Sequence, residues 1–112
     1  MFKTYEDFKE AIEKLPFYVK EAEFVKSKKP PFLVYFRSEV KKITADGIVV
    51  LSIDKISIEL YTELNDNDSE KILNDWLAKH NIVTKKYERV WTTNEKFYMT
   101  SLEFECCFNG KN

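Results

Sequence analysis

The chain has 112 residues, a length typical of one domain, and 44% of them are hydrophobic, which is enough for a folded core. Its 18 Lys and Arg nearly balance its 19 Asp and Glu, giving a formal net charge of -1, whereas a dedicated nucleic-acid binder usually has a basic excess. One His and two Gly argue against a His-rich metal site and a glycine-rich phosphate loop.

An amphipathic N-terminal helix is predicted over residues 1–15. Thr4 is expected to cap its N-terminus, with Asp7 three residues later in a pattern similar to a capping box. Pro16 is expected to end it, because proline disfavours the helical conformation in the residue before it. Side chains at spacings of three and four share one apolar face: Phe2, Tyr5, Phe8, Ile12 and Leu15.

Three strands are predicted in the middle of the chain, two of them in a strand block over residues 32–62. Phe17 to Val19 is a candidate short strand. Phe32 to Phe36 is apolar on both faces, which is typical of a central strand. A polar connection is expected to lead from it to a turn at Asp46-Gly47, after which a long strand runs from Ile48 to Thr62.

The long strand changes the phase of its apolar residues. They occupy odd positions up to Ile53 and even positions from Ile56 onward. Because side chains alternate between the two faces of a strand, a regular strand would bury one set and expose the other. The sequence therefore predicts a β-bulge or tight bend near Asp54 and Lys55.

A second helix is predicted over residues 68–80. One of Asp66, Asn67 or Asp68 is expected to cap it, and Asn81 is expected to end it, since Asn tolerates the left-handed conformation. The predicted apolar face consists of Ile72, Leu73, Trp76, Leu77 and His80.

A hairpin of two strands is predicted over residues 83–108, with its connection at Thr93-Asn94-Glu95. Glu103 and Glu105 share one face of its second strand, and residues 109–112 are expected to be a frayed tail. The other face of that strand is apolar and consists of Tyr98, Leu102, Phe104, Cys106 and Phe108.

These elements predict one α+β domain over residues 1–112, in the order α-β-β-β-α-β-β. Two helices are expected to pack on one face of a mostly antiparallel sheet. No apolar run approaches the roughly 20 residues that a membrane-spanning helix requires, and no apolar signal segment follows the charged N-terminus. We therefore expect neither a membrane partner nor secretion.

No catalytic arrangement is recognisable in the sequence. His80, the single His, is expected to cap the second helix or to lie at the edge of the core. Cys106 and Cys107 are adjacent and are expected to be reduced thiols, one facing inward and one outward. The acidic residues of 66–70 lack the glycine of a calcium-binding loop and are interpreted as helix capping. We predict that the chain is not an enzyme and has no metal and no cofactor.

Aromatic and charged side chains on the predicted strands make a candidate subunit interface. Tyr and Trp combine a large contact area with a polar group, and charges of both signs can set the alignment of identical subunits. The alternative is an ordinary solvated sheet face. The candidate interface residues are Glu59, Tyr61, Tyr87, Arg89, Trp91, Tyr98, Glu103 and Glu105.

Five short motifs give the chain a resemblance over roughly residues 12–105. They are Leu15-Pro16-Phe17-Tyr18, Pro31-Phe32-Leu33-Val34-Tyr35, Ala45-Asp46-Gly47, Ile58-Glu59-Leu60-Tyr61-Thr62 and Glu95-Lys96-Phe97-Tyr98. In this order they resemble the tail terminator or tail completion (head–tail joining) proteins of long-tailed phages and prophages of low-GC Gram-positive bacteria. Two departures are that Val50 or Leu51 replaces the family's usual tyrosine, and that the acidic loop lacks a lysine before its Asp.

The resemblance implies a ring, usually a hexamer, that assembles in the cytoplasm of the bacterial host and sits at the head-proximal end of the virion tail. Its expected partners are copies of itself, the tail tube protein and the head-completion or connector proteins. Lys26, Lys28 and Lys29 form a candidate lumen loop that faces passing DNA without reading its sequence, although an ordinary exposed loop is the alternative. The alternative function is a small phage-encoded protein that docks on one host protein.

Overall fold

The computed structural model describes residues 2–22 and 29–109. Within these residues the helices and strands follow the predicted order, which confirms the α+β class. They are α1 (Tyr5–Ile12), β1 (Tyr18–Glu21), β2 (Phe32–Ala45), β3 (Ile48–Thr62), α2 (Asp68–Lys79), β4 (Lys86–Thr92) and β5 (Phe97–Asn109).

The strands form a single five-stranded sheet in the order β1-β2-β3-β5-β4. Only β1 and β2 run parallel, and the other three neighbouring pairs are antiparallel. Strands β2, β3 and β5 have 14, 15 and 13 residues, so they extend well beyond β1 and β4. As a result the molecule is 53 Å long but only 26 and 22 Å across.

Both helices pack against the same face of the sheet, as predicted, and we call it the helix face. Phe8 and Ile12 of α1 and Leu73 of α2 are fully buried in one cluster with side chains of β2, β3 and β5. The cluster draws on alternate positions of the long strands, which is the expected pattern for a sheet that buries one face. Its strand residues with no exposed surface are Leu33, Tyr35, Ile56, Ile58, Leu60 and Phe108.

Helix α1 has the predicted cap at Thr4 but is shorter than the predicted 1–15, since it begins at Tyr5. The Thr4 hydroxyl accepts a hydrogen bond from the Asp7 amide at 3.1 Å, which is the expected N-cap. The helix ends at Ile12 rather than at residue 15. The amides of Lys14 and Leu15 bond to carbonyls three residues back instead of four, so the chain tightens into a turn before it reaches Pro16.

The predicted polar connection before Asp46 is wrong, because β2 continues through it to Ala45. Asp46 and Gly47 alone form the turn into β3, with φ angles of 53° and 76°. Such positive angles suit a two-residue hairpin turn. From Arg37 onward β2 is exposed on both faces. Its apolar and polar residues therefore need not alternate, and charged residues are tolerated on either face.

A bulge does lie at the predicted place near Lys55, but its extra residue is on β2 and not within β3 as expected. Strand β3 pairs with β5 without interruption from Leu51 to Thr62. The register shifts lie between β2 and β3, where Ser38 of β2 and Val50 of β3 are the extra residues. The apparent change of phase arises because Ser52 and Asp54 are polar residues buried on the helix face, in line with Ile56.

Helix α2 and the C-terminal hairpin lie close to their predicted positions. Asp66 supplies the cap, because its carboxylate accepts hydrogen bonds from the amides of Asp68 and Ser69. Asn81 follows the helix in the left-handed conformation, with φ 57°, as expected. The β4–β5 connection spans residues 93–96, one residue longer than predicted. The prediction of a frayed tail is wrong at Asn109, which ends β5 and pairs with Leu51, and residues 110–112 lie outside the described residues. Neither described helix is long and apolar enough to cross a membrane.

Candidate interaction surfaces

The eight candidate interface residues do not form one surface, because the register of the sheet divides them between its two faces. Across β4 and β5, Tyr87 pairs with the buried Leu102, so it lies on the helix face, and Arg89, Trp91 and Tyr98 share that side. The other four lie on the opposite face: Glu59, Tyr61, Glu103 and Glu105.

The charges on the opposite face pair largely within the subunit. The Lys85 ammonium lies 2.6 Å from the Glu105 carboxylate, and Lys86 lies 3.6 Å from Glu103. The hydrogen bond and charge of Lys85 hold the pKa of Glu105 below its usual range. Exposed pairs of this kind contribute little to stability. They do mean that Glu103 and Glu105 already have counter-ions before any partner arrives.

Tyr61 belongs to a small second core rather than to an open surface. Its side chain is 8% exposed and stacks on Phe32 with ring centroids 4.7 Å apart, and the edge of Phe97 lies 5.3 Å away. Its hydroxyl donates to Glu59 at 2.9 Å, and burial together with this bond raises the pKa of Tyr61. Little of its area remains for a partner.

The four candidates on the helix face form a contiguous group, which we call the edge cluster: Tyr87, Arg89, Trp91 and Tyr98. The Arg89 guanidinium lies over the Tyr98 ring, 3.8 Å from its centroid, and Trp91 meets Tyr98 edge-on at 4.9 Å. Tyr87 and Trp91 remain 42% and 37% exposed. The cluster is therefore ordered by its own contacts and still presents aromatic area to solvent.

Helix α2 supports the edge cluster with two residues that sequence reasoning missed. The Tyr87 hydroxyl donates to Glu70 and accepts from the Asn74 amide at 3.2 Å, and Glu70 also lies 3.7 Å from Arg89 Nε. Burial and the bond to Glu70 raise the pKa of Tyr87 to about 12. No signal in the sequence connects α2 to β4, because the contact depends on how the helix crosses the sheet.

A second surface that the sequence did not reveal is the end of the β2–β3 hairpin, residues 39–51, which we call the arm. Beyond Tyr35, β2 pairs with β3 alone among the described residues, since β1 reaches only from Phe32 to Tyr35. The arm exposes large apolar side chains on both of its faces, a pattern typical of an interaction surface. They are Val40, Ile43, Ile48 and Val50, with exposures of 41%, 43%, 66% and 52%.

The base of the arm is held by a buried carboxylate. Asp54 has no exposed side-chain surface, and its oxygens contact the Ser52 hydroxyl at 2.5 Å and the Arg37 guanidinium at 3.4 Å. The Arg37 guanidinium also covers the Tyr5 ring at 4.1 Å, and so connects the arm to α1. These contacts join the base of the arm to the rest of the domain.

A groove of about 280 Å³ lies between the C-terminal ends of the two helices. His80 lies at its wall, with its ring centroid 4.9 Å from Phe2 and 4.8 Å from Trp76. His80 thus occupies the helix end and core edge that the sequence predicted. Its burial, with the nearby charge of Lys79, lowers the pKa of His80.

The lowered pKa of His80 predicts a pH-dependent stability. The unfolded chain takes up this proton more readily than the folded one, so the free energy of unfolding should decrease as the pH falls through about 6.5. Thermal unfolding between about pH 7.5 and 5.5 measures it, and His80→Gln should flatten the curve. Glu21 and Asp66 titrate below this window, because their pKa values are also lowered. Equal slopes in both proteins would contradict the prediction.

Three further predictions concern the lysine loop, the two cysteines and metal binding. Lys26 and Lys28 of the predicted lumen loop lie outside the described residues, and Lys29 is exposed. Cys106 is buried, which raises its pKa to about 12, and Cys107 is exposed, as expected for neighbours on a strand. Within residues 2–22 and 29–109, no group of three His, Cys, Asp or Glu is close enough to hold a metal ion.

The chain matches none of the protein-family models and none of the curated proteins with which it was compared.

Proposed function

We propose that the chain is a tail terminator or tail completion subunit of a long-tailed phage or prophage, and that it forms a ring at the head-proximal end of the tail. The observation that carries the proposal is the presence of two exposed apolar surfaces, the arm and the edge cluster, on one small domain. The resemblance to phage tail proteins over roughly residues 12–105 supports the inference that these two surfaces assemble in a phage tail.

A closed ring requires each subunit to present two different, complementary surfaces. When one surface of a copy meets the other surface of the next copy, a rotation that closes gives a ring, and one that does not gives a filament. An arm and a separate edge satisfy this requirement, whereas a single self-complementary patch would stop at a dimer. The resemblance favours a hexamer.

In this proposal the function lies in contacts, and the chain has no catalytic role. The faces of the ring meet the tail tube protein on one side and the head-completion or connector proteins on the other. The lysine loop at residues 26–29 lines the lumen, where its positive charge attracts the DNA backbone without reading bases. Assembly takes place in the bacterial cytoplasm, and the finished subunit belongs to the virion.

Deletion of the gene from the inducible prophage or phage genome tests the proposal. We expect tails of uncontrolled length, or full heads that lack tails, in negatively stained lysates, because nothing would stop the tube or join it to the head. A plasmid copy of the wild-type gene should restore normal particles. Normal virions after deletion would refute the proposal, and a stable complex of the chain with one host protein would then favour the host-docking alternative.

A further inference from the structure

We infer that the arm of one copy packs against the edge cluster and outer flank of β4 of the next copy. The inference rests on the proposed ring and names the contact that builds it. Three observations support it: the distribution of exposed apolar side chains, the positions of the two surfaces in the sheet, and the flanks of β2 and β4 that pair with no strand among the described residues.

Exposed apolar area is concentrated in these two places. Of the ten large hydrophobic side chains exposed among the described residues, four lie on the arm and three on β4. Isolated exposed hydrophobic residues are ordinary, but grouped ones mark an interaction surface. The three on β4 are Tyr87 and Trp91 of the edge cluster, together with Val90 on the opposite face of the strand.

The two surfaces lie at diagonally opposite corners of the sheet. Strand β4 pairs with the first half of β5, where Met99 faces Tyr61 of β3, whereas the arm lies beyond the other end of β5, where Asn109 faces Leu51. Tyr61 and Leu51 are ten residues apart on β3, which is roughly 33 Å. The arm therefore cannot reach the edge cluster of its own subunit, and one copy joined at its arm still has its edge cluster free.

The chemistry of the two surfaces is complementary. The arm offers the branched side chains of Val40, Ile43 and Ile48, and the edge cluster offers aromatic rings, a combination that packs well between neighbouring strands. Among the described residues, Lys42 and Asp46 on the arm and Glu88 on β4 have no ion-pair partner. Glu88 lies on the face of β4 opposite the edge cluster, so a Lys42–Glu88 pair would form where the arm meets the outer flank of β4.

The main-chain hydrogen-bonding groups on the flanks of β2 and β4 also favour this contact. The outer flank of β4 is an edge of the sheet, and the outer flank of β2 beyond Tyr35 has no paired strand among the described residues. Unpaired flanks of this kind join readily by strand addition, in which main-chain hydrogen bonds continue the sheet from one molecule into the next. A partner for these surfaces must present an apolar arm to one of them and a strand edge to the other. A second copy of the chain presents both.

The test uses two variants of the full chain, each of which disables one surface. Ile48→Asp/Val50→Asp disables the arm, and Tyr87→Ser/Trp91→Ser disables the edge cluster. Val83→Asp is the matched control, because Val83 is 84% exposed and lies outside both surfaces. Size-exclusion chromatography with light scattering and native mass spectrometry, in reducing buffer because Cys107 is exposed, give the oligomeric state.

We expect the wild-type chain and Val83→Asp to form closed rings, and each disabled variant to weaken self-association by about thirtyfold or more, as loss of an interface hot spot does. A mixture of the two disabled variants should form a one-to-one dimer and nothing larger. In that mixture only the intact arm of one variant can meet the intact edge of the other. This outcome identifies a head-to-tail contact and excludes a self-complementary one.

Circular dichroism monitors folding, and Ile48→Thr/Val50→Thr replaces the arm variant if the aspartates unfold it, since Thr retains strand propensity. Rings that survive in either variant, a mixture without the dimer, or a wild-type chain that remains monomeric at every concentration would overturn the inference. A monomer leaves the tail role to be decided by gene deletion. The purified chain could form rings that require the arm while deletion of its gene leaves virions normal. That pair of results would refute the tail role and would still support the arm-to-edge contact.

Discussion

Replacing Phe8 with Ala should lower the free energy of unfolding by about 3 to 5 kcal/mol, the usual loss for a buried phenylalanine. Phe8 has no exposed surface and lies on the inner side of α1. Its ring centroid lies within 6.2 Å of five other rings, which come from the segment before α1, both helices and two strands: Phe2, Tyr5, Trp76, Tyr35 and Phe104. The cavity left by Ala would therefore loosen α1, α2 and the sheet together.

Urea denaturation monitored by circular dichroism measures this loss. Phe8→Leu is the matched variant, because it keeps most of the buried volume and should cost markedly less than Ala. Val83→Ala, at a position 84% exposed, should change the free energy of unfolding by no more than about 0.5 kcal/mol. A loss below about 1 kcal/mol for Phe8→Ala would mean that the Phe8 ring does not hold the two helices to the sheet.

Much of the fold was predictable because its elements carry strong local patterns. In α1, Phe8 and Ile12 recur at helical spacing, and in β5 Leu102, Phe104 and Phe108 alternate with polar residues, so burial of one face is visible in the sequence. The order of the elements then follows from their succession along the chain.

The arm and its base were mispredicted because local pattern is uninformative there. From Arg37 to Ala45 both faces of β2 are exposed, so charged residues resemble a connection. Asp54 is buried although it is charged, and the predicted bulge came from treating only apolar residues as inward-facing. Its burial is possible because of Arg37, a partner on another strand, and no pattern within β3 contains that information.

The candidate surfaces were predictable in residue type but not in arrangement. Tyr87, Arg89 and Trp91 were identified from their chemistry, and they do form a cluster with Tyr98. Tyr61 has the same chemistry but lies on the other face in a small core, since the register between β3 and β5 decides which side a residue occupies.

Replacing Arg37 with Met should lower the free energy of unfolding by about 3 kcal/mol, because it leaves the Asp54 carboxylate buried without its counter-charge. Asp54 is fully buried, whereas the Arg37 side chain is 40% exposed, so the cost falls on the residue that cannot reach water. Chemical denaturation of Arg37→Met, Asp54→Asn and the double variant measures the coupling. We expect the double variant to lose less than the sum of the single losses, since it removes both charges.

The same substitution links stability to assembly, because Arg37 immediately precedes the bulge at Ser38 and also covers the Tyr5 ring. Without it, the arm loses its connection to α1 at the point where it leaves the domain. Amide hydrogen exchange in residues 39–51 should therefore accelerate more in Arg37→Met than in a control that destabilises the core by a similar amount, such as Phe8→Ala. Arg37→Lys should lie between the two, because it keeps the charge but not the planar contact with Tyr5. Equal acceleration in all three variants would mean that Arg37 stabilises the domain without orienting the arm. The orientation of the arm toward a neighbouring copy would then depend only on the pairing of β2 with β3.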